Sequence, residues 1–153
     1  MQNIQKNHIV GKKGESETWP FLEKNGYIRP SKAQRKIIKE FYLKQGKEIK
    51  GSGFDVISLD EACLIGEKEL TLYEVKTTGT GRGEFIESNF VNFGFTLSEN
   101  EVNNAREFGN KYKFIFVNLH KKIFRIYNLN DFFNEEVSKF YSTWSVFIKR
   151  EIK

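Results

Sequence analysis

Asp55, Glu74 and Lys76 are the residues of this 153-residue chain whose types and spacing could do chemistry. Asp55 opens the run Phe54-Asp55-Val56-Ile57, just after Gly51 and Gly53. Glu74 and Lys76 close the run Leu70-Thr71-Leu72-Tyr73-Glu74-Val75-Lys76. Two carboxylates held close together repel, and a hard divalent cation relieves the repulsion. Such a cation activates water toward a phosphate. A lysine two residues on can orient that water or stabilise charge developing on the phosphate. This set is the minimum for metal-assisted phosphodiester hydrolysis. The same residues also fit an exposed Glu74–Lys76 ion pair with Asp55 as a turn carboxylate, so the pattern alone leaves both open.

Two strands must position the three groups. Side chains alternate across a strand, so Leu70, Leu72, Glu74 and Lys76 share one face, and Asp55 shares its face with Ile57 and Leu59. The runs 53–59 and 69–76 are close in sequence and read as an antiparallel hairpin. That pairing sets the start of the first strand beside the end of the second, with Asp55 and Glu74 at one end.

Around the hairpin, Ser31-Lys32-Ala33-Gln34 is a capping box. Ala33, Ile37, Ile38 and Phe41 then recur at helical spacing until Gly46, which predicts a helix over 32–45. Its other face carries Lys32, Arg35, Lys36, Lys39 and Glu40. Residues 17–26 read as a short helix with Pro20 near its start and Gly26 as its stop, and Tyr27 to Pro30 as a connector. Thr77 to Gly83 is a glycine-rich loop carrying Arg82, whose N–H groups could approach a phosphate backbone. A strand follows near 90–96. Ser98-Glu99-Asn100-Glu101 is a second capping box, opening a helix to Phe108. Strands over 112–119 and 123–129 come next, joined by a turn at Lys121 and Lys122. Phe132, Phe133, Val137, Phe140, Tyr141, Trp144 and Phe147 predict a last helix capped by Asn130 or Asp131, with a surplus of apolar surface suited to a dimer. The helix before the 112–119 strand can act as a crossover, giving one parallel pair in a mixed sheet.

Composition bounds the rest. An apolar share of 39% in a chain of this length suits one domain with one core. The formal net charge of +5 favours polyanionic partners, nucleic acid foremost. Cys63 stands alone, so no disulfide forms within the chain, which fits a reducing cytoplasm. No signal peptide and no membrane span are expected. His8 and His120 are too few and too isolated for a zinc site.

Gly53-Phe54-Asp55-Val56, followed by Tyr73-Glu74-Val75-Lys76-Thr77-Thr78-Gly79, resembles the PD-(D/E)XK nuclease superfamily. The closer likeness is to the nuclease-like domain at the C-terminus of NO VEIN-type proteins, also found in some bacterial restriction systems. It extends to Leu97-Ser98-Glu99-Asn100-Glu101 and Tyr112-Lys113-Phe114-Ile115-Phe116-Val117, and covers about residues 32–133. The Pro of the superfamily's name is absent before Asp55. The resemblance implies an α/β (α+β), restriction-endonuclease-like fold: a central mixed β-sheet of about five strands flanked by helices. Residues 1–31 would form a basic arm and short helix, and 32–153 the nuclease-like domain. It implies Asp55, Glu74 and the Val75 backbone carbonyl as metal ligands and Lys76 as the catalytic lysine. Mg²⁺ is the expected cofactor, with Mn²⁺ as a substitute. An additional helix acid is common in the superfamily; Glu40 is the candidate here and Glu15 its rival. Thr77, Thr78, Arg82 and Lys36 are candidate DNA contacts. The expected activity is a metal-dependent DNA endonuclease, a restriction endonuclease or its catalytic subunit, working as a homodimer or with a separate recognition subunit. A nucleic-acid-binding module without turnover and a repair or junction-resolving nuclease are the alternatives.

Overall fold

A computed structural model describes residues 16–78, 90, 93–134, 136–142 and 144–152. Five strands form a mixed sheet in the order β1 (Tyr27–Ile28), β2 (Val56–Ser58), β3 (Leu72–Thr78), β5 (Tyr112–Asn118) and β6 (Ile123–Tyr127). β2 and β3 pair antiparallel, with Val56 opposite Tyr73 and Ile57 opposite Leu72. β3 and β5 pair parallel along their whole length, Glu74 lying opposite Phe114 and Lys76 opposite Phe116. The mixed five-strand sheet flanked by helices is therefore the architecture expected from the sequence. A parallel pair needs a crossover, and helix α3 (Glu99–Phe108) lies in the connection that supplies it.

Alternation along the strands sorts side chains onto two faces. Ile57, Leu72, Phe114 and Phe116 pack with Ile38 and Tyr42 of helix α2 (Lys32–Lys44) and with Val102, Ala105 and Phe108 of α3. Val56, Tyr73, Ile115 and Val117 face the other way, against Leu22 of helix α1 (16–24). Glu74 and Lys76 continue the face of Leu72, so they leave the core on the side of α2 and α3. Gly26 ends α1 at a φ of +87°, a conformation glycine adopts freely. The segment read as a connector holds the edge strand β1.

Tyr42 fastens α2 to the approach of β3. Its hydroxyl donates to the Leu70 carbonyl at 2.7 Å and accepts from the Leu70 N–H at 2.8 Å. The ring is buried, and burial pushes the phenol up to about 12. Tyr42→Phe would leave a buried N–H and a buried carbonyl without their partner. The expected loss is about 1–3 kcal/mol in urea unfolding; an unchanged midpoint would show that water replaces the hydroxyl.

The C-terminal part corrects the sequence reading. Leu129–Phe133 is a short 3-10 helix capped by Asn128, and among the described residues no helix follows it. Instead β7 (Ser138–Ser142) and β8 (Ser145–Ile148) form an antiparallel hairpin. β8 also pairs with β4 (Phe93–Thr96), making a second sheet in the order β4-β8-β7. The third expected strand therefore lies outside the main sheet. The aromatic spacing had matched a helix by coincidence. The segment is built from Val, Ile, Phe, Tyr, Trp, Ser and Thr, which favour strands over helices. Phe132, Val146 and Ile148 are buried in the core, while Phe133 is exposed. Among the described residues no helix is long and apolar enough to cross a membrane.

Candidate active site

The site forms where β2 parts from β3. Asp55 sits at a bend one residue before β2 and donates its N–H to the Tyr73 carbonyl at 2.8 Å. Beyond that point β3 has no backbone partner on this side among the described residues. The Asp55 carboxylate fills the vacancy, accepting from the Val75 N–H at 2.8 Å. In an extended strand a residue's N–H and C=O face the same neighbour, so the Val75 carbonyl faces the same gap.

Four groups fix the bend. Gly53 has a φ of +95°, and a Cβ there would lie 2.4 Å from Ile49 Cγ2, so only glycine fits. Asn104 of α3 donates to the Lys50 and Gly53 carbonyls at 3.0 and 3.3 Å and accepts from the Lys50 N–H at 2.8 Å. The Tyr112 hydroxyl donates to the Gly53 carbonyl at 2.8 Å. Arg35 of α2 donates to the carbonyls of Phe54, Asp55 (2.8 Å) and Pro30 (3.2 Å). The sequence reading had assigned Arg35 to a solvated basic face. Its guanidinium instead packs over the Phe54 ring, 4.9 Å from the centroid. No local sequence signal separates it from the lysines beside it.

Asp55, Glu74 and the Lys76–Glu101 ion pair border the gap. Glu74 lies near both Asp55 and Glu101, whose negative charges act on it. Burial, then the negative charges of Asp55 and Glu101, push the Glu74 carboxyl up to about 10. Burial also raises Asp55, against the Val75 N–H and the charges of Lys76 and Arg35. Lys76 Nζ contacts both oxygens of Glu101, at 3.2 and 3.1 Å. Glu101 had been read only as a helix cap, and its partner lies 25 residues away. The capping pattern accounts for it in the sequence, which hides its second contact.

The other expected residues lie apart from this cluster. Glu40 is on the exposed face of α2, 3.9 Å from Lys36. Both border an open groove of about 1190 Å³ that runs along α2 past Arg29, Lys32 and Lys39 to Asp55. The Thr77 hydroxyl is hydrogen-bonded to that of Thr18 at 3.1 Å. Thr78 ends β3. Arg82 and Glu15, like residues 1–15 of the expected basic arm, lie outside the described residues. His120 is an exposed turn residue, and Cys63 is exposed within the 3-10 helix Leu59–Leu64.

Among the described residues, no three His, Cys, Asp or Glu side chains are grouped closely enough to hold a metal by themselves. A small hard cation does not require three, because Mg²⁺ is commonly held by one or two carboxylates and retained waters. Asp55, Glu74 and the Val75 carbonyl are all oxygen donors. Burial first, then the charges of Asp55 and Glu101, raise the Glu74 carboxyl, and a nearby cation would favour its charged form. The donor chemistry therefore fits a divalent cation in this gap.

Comparisons with curated proteins and with solved structures return no match. The family described as Protein NO VEIN, C-terminal, matches residues 31–129, from the cap of α2 to the end of the main sheet. That stretch contains the bend at Asp55, the end of β3 and the helix that delivers Glu101, and a match over this much of the chain places it in a family: this protein belongs to the NO VEIN C-terminal family.

Proposed function

We propose that this protein is a metal-dependent DNA endonuclease of the PD-(D/E)XK type. The observation that carries the reading is the gap at the end of β3. There the Asp55 carboxylate accepts from the Val75 N–H beside Glu74, two residues before Lys76. A bound divalent cation would supply Lewis acidity toward a phosphoryl oxygen and an activated water. Asp55 and Glu74 would hold it, with Val75 contributing its carbonyl. Lys76 would place positive charge against the phosphate undergoing attack. The groove along α2 leads to Asp55 and is bordered by Arg29, Lys32, Lys36 and Lys39, which suits a phosphodiester backbone approaching the gap. The resemblance of the motifs to domains of bacterial restriction systems supports a restriction role, with specificity supplied by a second copy or a recognition subunit.

The test is incubation of the purified protein with supercoiled plasmid and mixed genomic DNA in Mg²⁺, in Mn²⁺ and in EDTA. Cleavage that requires the metal is the expected result. DNA binding without cleavage in any of the three would replace this reading with a binding module that has no turnover.

A further inference from the structure

Helices α2 and α3 open with the same reciprocal serine cap, and only that of α3 reaches the gap. At α2, the Ser31 hydroxyl accepts from the Gln34 N–H at 3.1 Å, and the Ser31 N–H donates to Gln34 Oε1 at 2.8 Å. At α3, the Ser98 hydroxyl accepts from the Glu101 N–H at 3.1 Å, and the Ser98 N–H donates to Glu101 Oε2 at 2.8 Å. Gln34 completes its cap as a neutral amide, so the cap does not need the charge that Glu101 carries. That charge has a different partner. The ammonium of Lys76 sits on both Glu101 oxygens, and the two side chains are only 16% and 17% exposed.

We infer that Glu101 is the positioning residue for Lys76. A lysine on a flexible stem at the end of a strand samples many rotamers unless another element holds its head. The Glu101 carboxylate does not swing to meet it, because the Ser98 N–H fixes one oxygen to the first turn of α3. Asn104, one turn along the same helix face, fastens α3 to the loop before Asp55. One helix thus sets both the lysine and the bend that carries the first carboxylate. The catalytic consequence rests on the proposed nuclease reading; the positioning itself does not.

The test compares the full chain with Glu101→Gln. The amide keeps the cap, as Gln34 does at α2, so the variant is expected to melt with the wild type. In metal-free protein the ¹H–¹⁵N signal of the Lys76 ammonium, sharp when the head is held, is expected to disappear in the variant. Mn²⁺ affinity by calorimetry is expected to change little. Plasmid cleavage is expected to lose about tenfold to a hundredfold in kcat with little change in KM. A Lys76 signal that persists in Glu101→Gln overturns the inference. So does a fall of about tenfold or more in Mn²⁺ affinity, which would make Glu101 part of the cation's own support. If Glu101→Gln does not fold, Glu101→Asp carries the same readout, and an unchanged Lys76 signal there overturns it. A wild type that cuts nothing would sink the nuclease reading, while the signal would still decide what holds Lys76.

Discussion

Lys76→Ala is expected to leave plasmid DNA uncut under conditions where the wild type cleaves it, with a loss of at least about 10²–10³ in rate. The variant removes the one ammonium in a gap otherwise lined by carboxyls. Nothing else described is placed to replace it, since Arg35 is committed to three backbone carbonyls. The fold should survive. Lys76 lies at the end of β3, and the five-strand sheet is held by Leu72, Phe114 and Phe116 deeper in. Circular dichroism would check that. Asp55→Ala is expected to be equally inactive but less benign, because the Val75 N–H loses its acceptor. Near-normal cleavage by Lys76→Ala would end the assignment of the lysine to the chemistry.

Glu74→Gln is expected to stabilise the protein in the absence of metal while abolishing its activity. The sign follows from the raised carboxyl of Glu74, which burial and the charges of Asp55 and Glu101 push up to about 10. A group whose pKa is higher in the folded state favours folding below its ordinary range. That contribution is lost as pH rises from its ordinary value of 4.5 through about 10. Wild-type stability should therefore decline across this window when metal is withheld. Gln does not titrate and still fits between two carboxyls as a donor. At pH 8 the variant should melt above the wild type by roughly 4–8 °C, taking a difference of order 2 kcal/mol at about 2–4 °C per kcal/mol. The gap should narrow toward pH 5. Added Mg²⁺ should raise the melting temperature of the wild type at pH 8 and leave Glu74→Gln unmoved. Parallel pH profiles for the two proteins would mean that Glu74 is not held in a charge-poor gap.

Much of this arrangement was legible in the sequence because it depends on local rules. Both capping boxes, the alternation of Leu72, Glu74 and Lys76, and the pairing of 56–58 with 72–78 follow from short-range patterns. A parallel pair followed from the presence of a crossover helix, but which strands it joins did not: β5 pairs with β3, while β4 lies in the second sheet. What escaped was decided at long range or by competing periods. Glu101 looked fully explained by its cap, and Arg35 looked like its solvated neighbours. Both turn inward only because the crossover and α2 face the same gap. The segment 138–148 carries aromatics that fit two periods at once. The strand period won because β4 needs a partner and the residues favour extended backbone.

That second sheet also bears on when the site can assemble. The Leu97 N–H, one residue before the cap of α3, donates to the Trp144 carbonyl at 2.8 Å, and Arg106 of α3 lies over the Trp144 ring. The start of the helix that grips Lys76 is thus moored to residues synthesised some forty positions later. A ribosome that has released the chain only as far as Tyr127 has supplied every strand of the main sheet. It has not yet supplied the strand that pairs with β4 or the turn that steadies α3. A chain released only that far would hold Asp55 and Glu74 on their strands before the start of α3 is moored, so the grip of Glu101 on Lys76 depends on the part of the chain made last.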